Sequence, residues 1–550
     1  MENLSTTDFA IIGIYYGCFG TGQKTSRDVL LGSSKLGILP VALSLIATYT
    51  SAVGLLGYPS EVYHFGTMLS YYIAVYFIVF PLVAFVFLPV LYPLKLISVY
   101  EYLEMRFNKV VRQMASFVFC FQMFLYISVV LYAPALALSS VTPMSITTST
   151  LVTGLLATFY TTMGGSNAVV WTSALQVLLI IIGAIAIIIS GSLEASGLDE
   201  IWAYNVAGLR VNFTDTRIDP RVRHSVWSVV IGGSFTVMSL FTKMLLWNVP
   251  LNTVCLILLM LIGMILYYTY GQCDPRLAGL ITKVDQILPF YVMDKLSYAT
   301  GLPGLFVSAI YGAGLSTLAG GFTAVAAVLL QDAVIPIYRK ITKRDLSSAS
   351  SAVLSKVLAC VSGLIIIALA FAVGQVKSNV IQIALSIFGI VGGPLLGLFC
   401  LGMFLPFANS VDAAIGMLAG LAFTLWVGLG APIVGVVPYA LPLSTDGCRA
   451  NSTLSLPNVT IPDWKRNHVF IPLGYSGPEA EVYKISYQYY SLFGLLVTMF
   501  VGLCVHAICG CRKKENVKPC LLSPLVRNFC KASSSTVEML GMEQIKKYLK

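Results

Sequence analysis

Two stretches of this chain set oxygen donors among small residues inside apolar sequence. One runs Tyr311-Gly312-Ala313-Gly314-Leu315-Ser316-Thr317-Leu318-Ala319-Gly320-Gly321, with adjacent hydroxyls at Ser316 and Thr317. A hard cation takes oxygen ligands. Two hydroxyls with nearby backbone carbonyls make a neutral site of modest affinity, which a sodium ion that must leave again requires. The same hydroxyls also suit a packing role, each bonded to a carbonyl one turn back. The second stretch, Leu43 to Pro59 (LSLIATYTSAVGLLGYP), mixes hydroxyls and small residues, with Gly54, Gly57 and Pro59 toward its end. Such a helix can unwind in mid-membrane and offer free carbonyls. It can equally let a neighbouring helix approach closely.

Other chemistry is missing from the sequence. The four histidines, His64, His224, His468 and His506, are far apart and show no ligand spacing. CxxC, HExxH and phosphate-loop patterns are absent, and no polar stretch is long enough for a nucleotide domain. Neither an enzyme nor an ATP-driven pump is expected, and no cofactor is expected beyond a coupling ion.

The elements around these stretches must be membrane helices. Of 550 residues, 57% are hydrophobic and 11% charged, with a mean hydropathy of +0.84. A soluble domain carries about 25% charged residues, so lipid is the expected solvent. The formal charge of +10 sits in loops between apolar runs, without a basic patch interleaved with aromatics, so nucleic acid is excluded as a partner. A spanning helix needs roughly 20 apolar residues. Candidate spans are Leu39–Leu56, Leu69–Leu91, Met114–Leu138, Leu151–Met163, Ala174–Ile189, Val226–Phe241, Leu251–Tyr270, Leu305–Leu330, Val357–Val373, Ile381–Leu405, Ala413–Val434 and Tyr489–Ile508. Phe9–Phe19 is a shorter apolar run, and the count is twelve or thirteen.

Charge orients the spans. Lys24, Arg27 and Lys35, then Lys95, Arg106, Lys109 and Arg112, then Arg339, Lys340, Lys343 and Arg344, then Arg512, Lys513 and Lys514 lie near span ends on one side, which should be cytoplasmic. Asn-x-Ser/Thr triplets occur at Asn3, Asn212, Asn451 and Asn458, and the last three fall in loops that the charge rule puts outside. Cys273 and Cys448 also fall in outer loops, where they form either a disulfide or two unpaired thiols.

At this point the chain resembles the solute:sodium symporter family, within it the branch of sodium-coupled monocarboxylate, multivitamin and iodide transporters. The resemblance covers roughly residues 20–510. Ala42–Gly66 (ALSLIATYTSAVGLLGYPSEVYHFG), Ser98–Phe107 (SVYEYLEMRF) and Phe159–Gln176 (FYTTMGGSNAVVWTSALQ) carry it. Cys273–Pro275, Gly301–Phe306 (GLPGLF), Leu315–Thr317 and Tyr487–Phe493 (YQYYSLF) add to it.

The resemblance implies an all-α protein of about 13 transmembrane helices with LeuT-like inverted five-helix repeats. The implied organisation is a short first span and cytoplasmic loop at 1–36 and a transporter core at 37–405, with repeats at about 37–190 and 226–405. Two further spans at 406–511 carry a glycosylated outer loop at 436–488, and a cytoplasmic tail follows at 512–550. Matching motif to motif puts sodium on the backbone carbonyls of Ala47, Thr50 and Ala313 and on the hydroxyls of Ser316 and Thr317. Gly54, Ser173, Gly232 and Gly233 mark the implied substrate and coupling region.

The implied function is sodium-coupled uptake of a small organic anion by alternating access, in the plasma membrane, with the N-terminus outside and the C-terminus cytoplasmic. A vitamin, iodide or sugar symporter is the near alternative. A transport-inactive sensor or partner subunit is the distant one. The chain departs from the family in three places. Ser173 follows Val170-Trp171-Thr172 where relatives carry an aspartate, Phe241-Thr242-Lys243-Met244 runs almost directly into the next span, and the first span is short.

Overall fold

The computed structural model describes residues 38–94, 96, 98–240, 248–299, 301–344, 346–376, 378–448, 469–470, 479–509 and 517–530. The Phe9–Phe19 run, the basic residues Lys24, Arg27 and Lys35, the segment around Thr242, and the acceptor sites Asn3, Asn451 and Asn458 lie outside them.

Among the described residues the chain is all-α apart from one two-residue strand pair, Val437–Pro438 with Val469–Phe470. The helices that matter are α1 (Ile38–Phe65), α2 (Thr67–Leu94), α3 (Lys109–Val141), α4 (Ile146–Glu194), α5 (Ser228–Met238) and α6 (Asn248–Tyr270). They continue with α7 (Leu302–Thr342), α8 (Ser348–Val373), α9 (Val380–Phe404), α10 (Ser410–Val434) and α11 (Tyr487–Ile508). Among the described residues nine helices are long and apolar enough to cross a membrane, and Ile146–Phe159 and Ser228–Met238 are shorter apolar helices. Large apolar side chains point outward: Phe85 is 69% exposed, Phe117 75% and Ile433 83%. A water-soluble fold would bury them, so this outer surface faces lipid.

The start signals are local. Asn108, Ser145, Ser347 and Asn409 each accept a hydrogen bond from a first-turn backbone N–H of the helix that follows. Asn409 and Asp412 form a reciprocal capping box on α10.

The expected spans at 151–163 and 174–189 are joined here in one 49-residue helical run. Its contacts show that it doubles back. Ser173 bonds Ser316, and a side chain added at Gly183 would lie 3.8 Å from Phe306, so this half runs antiparallel to α7. A straight rod in that register would carry Thr153 to the level of Pro336, yet its hydroxyl bonds the Tyr311 hydroxyl at 2.7 Å. The mismatch is about 37 Å at ~1.5 Å per residue, so the run reverses between Thr153 and Ser173.

The two ends of the bundle differ in chemistry. At one end Arg106 donates to the carbonyls of Gly402, Leu405 and Ala408, and Arg112 bridges Glu104 and Asp332. At the other end Cys273 and Cys448 form a disulfide. There Arg210, fully buried, donates to the carbonyls of Tyr63, Gly208 and Pro442 and lies 3.7 Å above the Tyr267 ring. Burial pushes its guanidinium down to about 10, which leaves it charged at neutral pH.

Candidate functional site

The α1 helix is interrupted. Ser51 sits at φ 30° and ψ 168°, outside helical geometry, in the middle of a 28-residue helix. The sequence prepares this break. The Ser51 hydroxyl competes for backbone hydrogen bonds, and Pro59 lacks the N–H that would close the ladder further on. A helix that stops leaves the carbonyls of its last four residues without intrahelical partners. Ala47 and Thr50 stand in that last turn before Ser51.

Helix α7 approaches the break through its small residues. A side chain at Gly314 would come within 2.4 Å of Pro134 on α3 and 3.6 Å of the Ala52 side chain on α1. Only glycine admits this meeting of three helices, and Ala52 directly follows the interruption. Ala313, Ser316 and Thr317 on α7 are all buried, the two hydroxyl residues at 4% exposure. The Thr317 hydroxyl donates to the Ala313 carbonyl at 3.1 Å. The Ser316 hydroxyl is hydrogen-bonded to that of Ser173 on α4, itself fully buried. The hydroxyls are thus engaged within and between helices, the arrangement that packing alone would also produce, on the helix whose Gly314 packs against Ala52 next to the break. Their oxygens carry no formal charge, a donor type that suits sodium.

Other expected residues lie elsewhere. Gly54 is buried within α1. Gly232 closes a π-helical turn, Ser228–Gly232, and a side chain there would strike the Gln488 carbonyl at 2.6 Å. Gly233 faces the Tyr72 ring at 3.2 Å, and the Tyr72 hydroxyl donates to the Gln488 side chain at 2.8 Å. Both glycines therefore admit close contact of α5 with α2 and α11. Asn212 is 9% exposed, and its side-chain oxygen accepts from the Thr214 backbone N–H at 3.1 Å. That bond and one from the Thr214 hydroxyl engage Oδ1, not Nδ2, the atom that would carry a glycan.

The structure adds a group that the sequence reading passed over. Glu61 on α1, with no exposure, receives Arg223 at 2.7 Å and Asn379 at 3.0 Å. Arg223, 2% exposed, also donates to Gln382 at 2.8 Å and lies 4.2 Å above the Phe65 ring. His224 shares a 2.8 Å hydrogen bond with the Tyr487 hydroxyl. Burial first, and then the neighbouring Arg223 charge, hold the His224 imidazole well below its usual range, so it is neutral. This plug ties α1, α9 and the start of α11 together at the disulfide-bearing end. The sequence reading ended this span at Leu56 and so left Glu61 in a loop, whereas the helix runs on to Phe65.

Comparison with known proteins agrees with this geometry. The model of the sodium:solute symporter family matches residues 30–420. Sodium-coupled monocarboxylate transporter 1 of Mus musculus is 39% identical over 539 residues, covering 93% of this chain and 86% of that protein. The sodium-dependent multivitamin transporter of Oryctolagus cuniculus is 37% identical over 535 residues, covering 94% and 82%. A Na+-coupled sialic acid symporter, solved in a substrate-bound outward-open state, shares the fold with a TM-score of 0.71. It is 20% identical, and the match covers 93% of this chain and all of that one.

Proposed function

This chain belongs to the sodium:solute symporter family, and from that premise we propose that it carries a short-chain monocarboxylate across the plasma membrane, driven by sodium. The observation that carries the reading is the set of uncharged oxygens of Ala313, Ser316 and Thr317 on the helix whose Gly314 packs against Ala52 next to the break at Ser51. Sodium sits on the carbonyls of Ala47, Thr50 and Ala313 and the hydroxyls of Ser316 and Thr317. Bound there, it bridges α1 and α7 and favours the outward-open arrangement, because a ligand shifts a population only through contacts that differ between states. The carboxylate then enters near the bilayer midplane, and the repeats at about 37–190 and 226–405 rock against each other.

The disulfide-bearing end is the outer one. Disulfides persist in oxidising compartments, and the Arg106–Arg112 end carries the positive charge expected of the cytoplasmic side. The N-terminus is outside, the C-terminal tail at 512–550 is cytoplasmic, and Asn212, Asn451 and Asn458 are the glycan acceptors.

An uptake screen in cells expressing the chain tests the reading, with pyruvate, lactate, biotin, pantothenate and iodide offered in sodium and in choline medium. Sodium-dependent uptake of lactate or pyruvate supports it. Sodium-dependent uptake of biotin or iodide alone moves the assignment to another branch of the family. Normal surface expression with no sodium-dependent uptake of any of the five overturns it.

A further inference from the structure

At the disulfide-bearing end a cavity of about 210 Å3 opens between the ends of α3 and α8, the start of α9 and the loop that joins α6 to α7. It holds about seven waters' worth of liquid, the size class of a short carboxylate. We propose that this cavity is a second binding site for a small monocarboxylate, separate from the Ser316 cluster and filled from the outer side. The proposal rests on the functional reading above for its ligand class and for which side is outer.

The lining is mixed in the way such a ligand requires. Arg276 and Lys283 supply two positive charges, and Arg276 has no ion-pair partner among the described residues. Lys283 commits one of its three donors to the Gly374 carbonyl at 2.8 Å, which fixes its ammonium at the rim. Against these stands one carboxylate, Asp285, so the lining carries a net positive charge. Leu136, Val373 and Ile383 give an apolar wall for a short carbon chain.

Asp285 is the most informative residue. It is 3% exposed and lines the cavity. Its Oδ2 accepts from the Val380 N–H at 3.0 Å at the start of α9, and the Ser60 hydroxyl influences the carboxyl, while its Oδ1 completes no hydrogen bond. A buried carboxylate oxygen without a donor is costly. The hydroxyl of a 2-hydroxy acid, with its carboxylate held by Arg276 and Lys283, gives Oδ1 the donor it lacks. Asn379 completes the wall, and its amide also donates to Glu61 at 3.0 Å. One side chain thus links the cavity to the Glu61–Arg223 plug, so an occupant rests on the element that closes the outer end.

Equilibrium binding of radiolabelled L-lactate to the purified full-length chain in lipid nanodiscs, with sodium replaced by choline, tests this directly. The native chain should show a saturable sodium-independent component. Arg276→Gln with Lys283→Gln should weaken it at least tenfold, and Lys283→Arg should retain it. Lys295→Gln, which removes a nearby charge paired with Glu194, should leave it unchanged if the cavity is the site. Thermal melting separates misfolded variants from weakened ones. No saturable binding without sodium, or equal binding by the native and doubly neutralised chains, overturns the proposal. Loss of sodium-driven uptake with sodium-free binding intact would instead count against the transport reading alone.

Discussion

The hydroxyls of Ser173 and Ser316 are hydrogen-bonded to each other across the contact of α4 with α7, both out of reach of solvent. The bond sets a neutral oxygen at the position where relatives resembling this chain carry an aspartate. A carboxylate there would stand one side chain away from the proposed ion. Ser173→Asp should therefore lower the half-saturating sodium concentration about tenfold, since a unit charge pair in protein surroundings interacts by several kcal/mol before desolvation is subtracted. Sodium titration of uptake checks it. An unchanged sodium dependence would remove Ser173 from the ion's surroundings.

Ser316→Ala and Thr317→Ala each delete one oxygen and little volume. A lost polar ligand is worth roughly 1–3 kcal/mol, so apparent sodium affinity should fall about five- to a hundredfold. Substrate affinity at saturating sodium should move much less. Sodium activation that stays the same in the double variant at normal surface expression would return both hydroxyls to packing, the role that the Thr317 bond to Ala313 also fits.

The buried Glu61–Arg223 pair gives a stability prediction. Arg223→Met leaves the Glu61 carboxylate without its charge partner, which costs about 3–5 kcal/mol. Thermal melting of the purified protein should drop sharply. Glu61→Gln combined with Arg223→Gln should recover much of the loss, because no lone charge is then buried. Equal melting of the single and double variants would contradict the pairing.

Glycosidase treatment should increase gel mobility of the native chain. Asn451→Gln with Asn458→Gln should reduce the shift, and adding Asn212→Gln should remove what remains. An epitope at Lys550 that labels on intact cells would reverse the proposed orientation.

The parts of this fold that could be read ahead were those set by local sequence. Apolar windows fixed the helices because a bilayer demands about 20 apolar residues per crossing. The clustered hydroxyls before Gly54 announced the interruption found at Ser51. Cys273 and Cys448, 175 residues apart, were a candidate disulfide because both fall in outer loops, and the bond is present. The pairing of Glu61 with Arg223, 162 residues apart, was not legible. Nothing local in either partner names the other. Gly232 and Gly233 were assigned to the substrate region, yet a glycine's role depends on what packs against it, here Gln488 and Tyr72. The reversal within 146–194 falls between the two spans expected at 151–163 and 174–189, so the apolar windows had separated its two arms.

The cavity at the outer end should respond to pH through Asp285. Burial pushes this carboxyl up to about 7, Glu61 adds to the rise, and the Val380 N–H, Ser60 and Lys283 oppose it. The groups facing it are Arg276 and Lys283 on its own loop, Glu61 on α1, held by Arg223, and Tyr132 on α3. Of the groups lining the cavity, Asp285 is the one whose carboxyl is pushed up toward neutral pH. Its protonation raises the net positive charge of the lining and lets Oδ1 share a proton with the ligand. Sodium-free lactate binding should therefore tighten several-fold as pH falls through about 7, and Asp285→Asn should flatten the profile. The sign for stability follows from the same shift. A carboxyl raised in the fold contributes stability below its unfolded value of about 4, and that contribution is lost as pH rises through about 7. The melting temperature of the native chain should fall between pH 5 and pH 8 more steeply than that of Asp285→Asn. Parallel melting and binding profiles in the two proteins would show that Asp285 does not titrate in this range.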